Sequence, residues 1–367
     1  MEGLDRFSAA LVMALASSHG AAAAAAACSV QSQPFGALST GEQVTAYTVR
    51  NAQLEATILN YGGIIHAIKA PDRDGKVANV VRTLEKLSDY EANGTFSKIV
   101  GRFAGRIGNG GFTLDGKRHE LVSRPDGVSA HGGPKGFGSR VWASLPAECG
   151  VDLSLSSPDE ENGYPGNVQV TAAFRLDGAD LRIEYRATTD KPTVLNLTHH
   201  AFFNLSDGPD VYGHILQVHA DQWLRTDDKR VPTGEIAGVS GVMDLRAGRA
   251  LGPVVTSSED VIVANKGLDH TFVLKGRHAA TLSDPVSGRT LDVFTSEPGL
   301  VVFSANGWNG TLKDGQGRPL VKGGGLALET QHFPNSPNIP AFPTTIISPQ
   351  APLYSTTTFR FGRKWNL

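Results

Sequence analysis

Val168-Gln-Val-Thr-Ala-Ala-Phe-Arg-Leu176 and Leu181-Arg-Ile-Glu-Tyr-Arg-Ala187 flank the tetrapeptide Asp177-Gly-Ala-Asp180. Both outer segments alternate apolar with polar residues, the period of a strand with one buried face, and the glycine-containing link between them reads as a hairpin turn. The same wording extends outward. Val151-Asp-Leu-Ser-Leu155 precedes the hairpin, and short runs recur at 56–59, 271–274, 290–295 and 300–304. Helical periodicity is scarce, with residues 84–90 the best short candidate. No linker, repeat or low-complexity insert divides residues 34–365. The expected fold is therefore all-β, one large antiparallel β-sandwich domain over 34–365.

Composition agrees with a turn-rich globular protein. The 367 residues include 42 Gly and 20 Pro, with 40% hydrophobic and only 19% charged residues. A net charge of −2 at pH 7 and the lack of basic, aromatic-interleaved runs predict no nucleic-acid partner.

The first 27 residues form a different segment. An apolar block, Phe7-Ser-Ala-Ala-Leu-Val-Met-Ala-Leu-Ala16, leads into an alanine run ending at Ala27-Cys28, as in a secretory signal peptide. Glu2 and Asp5 against the single Arg6 depart from the usual positive start, and a start codon placed too far upstream is an alternative. Cys28 after Ala25-Ala26-Ala27 is a weak match to a lipoprotein acceptor cysteine, because the bulky aliphatic residue is missing; cleavage and export to the periplasm or medium is the expectation. No stable membrane span is expected, since Ser17-Ser-His-Gly20 interrupts the stretch. With Cys149 as the sole other cysteine, no disulfide is expected in the mature protein, and zinc sites built on Cys are excluded.

One carboxylate is placed at a strand end. In Gly323-Gly-Gly-Leu-Ala-Leu-Glu329-Thr-Gln-His332-Phe-Pro-Asn-Ser-Pro-Asn338, alternation sends Leu326 and Leu328 one way and Ala327 and Glu329 the other. Glu329 is thus a candidate general base, or else a rim carboxylate paired with an arginine. The glycines here lack the Lys-Ser/Thr and helix of a phosphate loop.

Four further segments join glycine to chemically capable residues: Gly101-Arg-Phe-Ala-Gly-Arg106-Ile-Gly-Asn-Gly110, Ser129-Ala-His131-Gly-Gly133, Asn196-Leu-Thr-His-His200-Ala-Phe-Phe-Asn-Leu205 and Gly267-Leu-Asp269-His270. Singly, each has a bland reading. Arg106 could clamp a carboxylate, His131 and His200 could be hydrogen-bonded structural residues, and Asp269 could cap a turn. Phe202 and Phe203 are expected to fill core, with at most one lining a stacking wall for a ligand.

Taken in order, with Asn60-Tyr-Gly-Gly63, Gly163-Tyr-Pro-Gly166, Glu329-Thr-Gln-His-Phe-Pro334 and Ser355-Thr-Thr-Thr-Phe-Arg360, these segments resemble the aldose 1-epimerase (galactose mutarotase) family across nearly the whole mature chain. The resemblance implies the mutarotase supersandwich and a cofactor-free isomerase acting on free aldoses such as D-glucose and D-galactose, as monomer or homodimer. It implies Glu329 as base and His200 as acid, with His131, Arg106 and Asp269 holding the sugar. Two positions depart from the family's wording: Gly105 and His199 each stand where Asn is usual, which puts sugar preference in question.

Other classes fit less well. A metal enzyme lacks its spacing motifs, and adjacent histidines on a strand face opposite ways. A glycosidase relies on two carboxylates. A non-catalytic sugar-binding module on the same fold would keep Arg106 and Asp269 but has no use for His200 and Glu329.

Overall fold

The computed structural model describes residues 28–364; the expected signal peptide lies outside them. Two antiparallel sheets make the body of the molecule. The larger has nine strands and contains the sequence-defining hairpin, Val168–Asp177 paired with Asp180–Thr189, next to the long C-terminal strand Leu353–Arg363. The smaller has six, in the order Phe202–Phe203, Leu326–Gln331, Gly299–Phe303, Asp269–Leu274, Ala220–Thr226, Pro232–Gly238. A five-stranded sheet spanning Ser29 to Asn79 packs alongside, so that ordered strand structure starts ahead of residue 34.

The two-residue period decides what each face of the six-stranded sheet does. Phe272, Leu300, Val302, Leu326 and Leu328 point into the main core, where Leu282, Leu291, Val293 and Phe359 of the nine-stranded sheet meet them. Asp269, Thr271, Val301, Phe303, Glu329 and Gln331 take the opposite face and line a pocket. Register aligns these groups: Thr271 is opposite Val301, which is opposite Glu329, and Asp269 is opposite Phe303.

Among the described residues α-helix is confined to three short pieces, Leu87–Ala92, Leu251–Val255 and Asp260–Asn265, beside three 3-10 turns. The first overlaps the expected segment and buries Tyr90, whose hydroxyl accepts the Leu84 amide at 2.9 Å. Among the described residues no helix is long and apolar enough to cross a membrane.

The cysteine expectation is corrected. Cys28 and Cys149 form a disulfide across 121 positions, with Cα atoms 5.2 Å apart. Cys149 occupies the turn of the hairpin Ala143–Ala147/Gly150–Ser157, and Cys28 immediately precedes the edge strand Ser29–Ala37, which lies beside that hairpin. A sulfur so engaged cannot carry a lipid thioether. Most of the Ser29–Ala37 side chains are exposed; the strand is held by its ladder to Gln43–Arg50, and the disulfide adds a covalent tie from its N-terminal end to the neighbouring hairpin. Cys149→Ser is therefore expected to cost about 2–4 kcal/mol and to raise proteolytic nicking near residues 28–37, while turnover persists. Limited proteolysis and thermal melts would check this; an unchanged melting temperature and cleavage pattern would contradict it.

Candidate active site

Of the two arginines in the 101–110 loop, the fold uses one for architecture and one for the pocket. The Arg102 guanidinium is buried and donates to the Ser157, Pro158 and Pro165 carbonyls at 3.0, 2.8 and 2.7 Å. That clamp fixes the loop from behind. Arg106 then projects into the pocket and donates from Nη2 to Asp269 Oδ2 at 3.1 Å. Burial pushes the Asp269 carboxyl up, but Arg106, His270 and Arg230 together outweigh it and hold it below the usual carboxylate range. Asp269 is therefore an ionised acceptor beside a fixed donor.

His131 sits in a left-handed backbone conformation, φ 52°. Its amide donates to the Gly105 carbonyl at 2.9 Å, and its Nδ1 accepts the Gly105 amide at 3.4 Å. An accepting Nδ1 assigns the ring proton to Nε2. Burial, with His200 and Arg106 adding to it, lowers the imidazole to about 3, so it is neutral.

His200 is pinned through its backbone: its amide donates to the Lys98 carbonyl at 2.9 Å and its carbonyl accepts the Ser97 amide at 3.1 Å. The ring lies between Phe202 and Phe303, with centroids 4.9 and 5.8 Å away. Nε2 is 3.5 Å from Glu329 Oε1, and Nδ1 has no hydrogen-bond partner among the described residues. Both side chains are almost completely buried. Burial drives their proton affinities in opposite senses, raising Glu329 to about 8 and lowering His200 to about 4. Between those values the pair holds a single proton.

All five residues singled out in the sequence, His200, Glu329, Arg106, His131 and Asp269, thus line one pocket of ≈ 180 Å³, a volume below the ~300–1,000 Å³ of larger ligand sites and suited to a single sugar ring. Among the described residues no group of three or more His, Cys, Asp or Glu could hold a metal ion.

The sequence profile of the family Aldose 1-epimerase matches residues 45–360. A galactose mutarotase from Bos taurus is 38% identical over 343 residues, covering 91% of this chain and 99% of that protein. An aldose 1-epimerase from Escherichia coli (strain K12) is 33% identical over 334 residues, 88% of this chain and 96% of that one. The chain belongs to the aldose 1-epimerase family. Its fold is correspondingly close to a crystal structure of galactose 1-epimerase from Lactobacillus acidophilus NCFM, with a TM-score of 0.82, 28% identity and coverage of 92% and 99% of the two chains. As a member of this family the protein is an isomerase of carbohydrate metabolism.

The two departures from the family's wording have different settings in this fold. Gly105 has φ 84°, and a Cβ there would meet Pro334 Cβ and Cγ at 2.7 Å. A side chain at 105 would press on the proline of the Glu329 loop unless one of the two shifts. His199 points away from the pocket into the core, where Nε2 lies 3.0 Å from the Gly63 carbonyl and the ring meets Phe174 edge-on. It is a hydrogen-bonded core residue.

The sequence reading missed several pocket residues. Neither Phe202 nor Phe203 lines the pocket; the aromatic wall is Phe303. Phe203 packs on Phe359 in the core, and Phe202 backs His200. Gln331 lies two residues beyond Glu329, and the period-two rule that places Glu329 also places Gln331 in the pocket. Its Nε2 donates to the His332 carbonyl at 3.2 Å, while Oε1 is buried without a partner among the described residues. Arg230 reaches the pocket from a turn that strand patterning does not flag.

Proposed function

We propose that this isomerase is a mutarotase that interconverts the α and β anomers of free aldoses such as D-galactose and D-glucose, with Glu329 and His200 as its proton-transfer pair. The observation that carries the reading is the buried contact of Glu329 Oε1 with His200 Nε2 at 3.5 Å, facing the Arg106–Asp269 pair across one small pocket.

Mutarotation breaks and remakes one bond. A base removes the proton from the C1 hydroxyl as an acid protonates the ring oxygen; the C1–O5 bond breaks and the aldehyde forms. Rotation about C1–C2 presents the other face of the carbonyl, and closure returns both protons. No net proton or electron is consumed, and two groups that exchange roles suffice. Glu329 takes the C1 hydroxyl proton and His200 protonates O5. In the free pocket their common proton rests on Glu329, the group of higher affinity. A C1 hydroxyl donating to the carboxylate favours its charged form, which moves that proton onto His200 and arms both groups together. The His131 Nε2–H donates toward the reacting oxygens, while Arg106 and Asp269 offer a donor and an acceptor to adjacent ring hydroxyls.

Following the optical rotation of freshly dissolved α-D-galactose and α-D-glucose with and without protein tests the reading. Faster approach to the same final rotation supports it; no acceleration of either sugar rejects it. The enzyme-dependent rate, corrected for spontaneous mutarotation, is also expected to follow a bell in pH. Below about 4 a second proton occupies the pair and removes the base; above about 8 the last proton leaves and removes the acid. A kcat/KM that rises monotonically with pH would contradict the paired-proton assignment.

We propose further that the protein is exported to the periplasm or beyond. The sequence of residues 1–27 supports this, as does the disulfide, which persists in oxidising compartments.

A further inference from the structure

The tight turn Asp227-Asp-Lys-Arg230 joins strands Ala220–Thr226 and Pro232–Gly238 at the mouth of the pocket. Asp227 is committed to the turn: its Oδ1 accepts the Lys229 and Val231 amides at 2.9 and 2.8 Å. Arg230 has left-handed backbone, φ 63°, and its amide donates to the Asp227 carbonyl at 3.0 Å. Its guanidinium makes no hydrogen bond among the described residues. The nearest carboxylate is Asp269, with Nη1 to Oδ2 at 3.7 Å, and that oxygen already receives Arg106 at 3.1 Å.

Two guanidinium groups therefore face one carboxylate. Arg106 is sheltered, with 21% of its side chain exposed, whereas Arg230 is 37% exposed at the rim. A neutral sugar has no use for the second: Arg106 and Asp269 already present a donor and an acceptor to neighbouring hydroxyls. The excess positive charge lies at a defined distance from the reacting end. Glu329 and Asp269 stand on strands with Gly299–Phe303 between them, and Asp269 lies two residues along from the position level with Glu329; two strand spacings with that stagger put their backbones roughly 12 Å apart, room for a pyranose between the two inward-facing side chains. An aldose with C1 at Glu329 and His200 thus brings its far end against Asp269, Arg106 and Arg230.

We infer that Arg230 is a specificity residue that receives an anionic group at the end of the aldose remote from C1, a carboxylate in a uronic acid or a phosphate ester on O6. The substrate class then includes anionic aldoses beside neutral ones. Planar, five-donor guanidinium is the side chain that binds either oxyanion bidentately. The inference rests on the mutarotase reading and deepens it.

Anomer exchange can be measured at equilibrium by magnetisation-transfer NMR, which needs no pure anomer. D-galactose, D-galacturonate and D-galactose 6-phosphate would each be followed with wild type, Arg230→Gln and Arg230→Lys. The expected result is that Arg230→Gln lowers the anionic-to-neutral ratio of kcat/KM on the order of tenfold, mainly through KM. Arg230→Lys should keep part of that ratio, and added salt should narrow it in wild type. The anion with the larger loss identifies the group received. If galactose exchange is accelerated but Arg230→Gln changes all three sugars by one common factor, the inference is overturned and the mutarotase reading survives. Wild type that accelerates galactose and neither anion likewise overturns the inference alone. Acceleration of none of the three overturns both.

Discussion

Glu329→Gln is expected to lower the enzyme-dependent mutarotation rate by a factor on the order of 10²–10⁴, with a melting temperature no lower than that of wild type. The two halves of the prediction have one physical origin. Glu329 lies on the pocket face of Leu326–Gln331, almost wholly buried, with His200 3.5 Å away and no side-chain hydrogen bond among the described residues. Burying a carboxyl with so few partners costs stability, which the raised proton affinity records. An amide of nearly the same shape removes that cost and cannot accept the C1 proton. Loss of rate without loss of stability is the signature of a group kept for chemistry. Polarimetry beside a thermal melt reads both. A soluble Gln variant retaining more than about a tenth of the wild-type rate would end the assignment of Glu329 as base.

How far the sequence leads depends on the range of the interaction that fixes each residue. Glu329 is legible because alternation is local: once Leu326 and Leu328 are core, the residue between them and the one after face elsewhere. The same rule reaches Gln331 and, along Gly299–Phe303, Val301 and Phe303, all of which line the pocket. The hairpin 168–187 reads directly because its turn and its period agree. Short helices such as Asp260–Asn265 do not, since six residues hold less than two turns of a 3.6-residue pattern. The Cys28–Cys149 bond was misjudged: two cysteines in a chain expected to be exported allow one pairing, but whether they meet is set by the fold. The bond exists because strand Ser29–Ala37 is the edge of one sheet lying beside a hairpin of another, a relation between elements 121 residues apart. Arg230 shows the same limit. On a turn of Asp, Asp, Lys and Arg it looks like solvated surface, and only the pairing of strands Ala220–Thr226 and Asp269–Leu274 sets it beside Asp269. Gly105 could be recognised as unusual from the resemblance alone, but its packing against Pro334 is a tertiary contact.

His200→Asn is expected to reduce the rate on the same order, 10²–10⁴-fold, and the informative measurement is the double variant with Glu329→Gln. His200 Nε2 lies 3.5 Å from Glu329 Oε1, and burial separates their proton affinities so that between about 4 and 8 the pair carries one proton. Ring opening needs that proton delivered to O5 while another is taken from the C1 hydroxyl, so neither group completes the step alone. Residues that act as one unit show strongly non-additive losses. The double variant should therefore be no more than a few-fold slower than the worse single variant, its residual rate coming from the positioning supplied by Arg106, His131 and Asp269. A His200 that merely packed between Phe202 and Phe303 would behave otherwise. Its replacement would lower stability, and its effect on rate would multiply with that of Glu329→Gln. Rates for the wild type, both single variants and the double variant, each with its melting temperature, separate the two cases: factors that multiply would mean the imidazole is scaffold, and a plateau at the slower single variant would mean that it carries the proton.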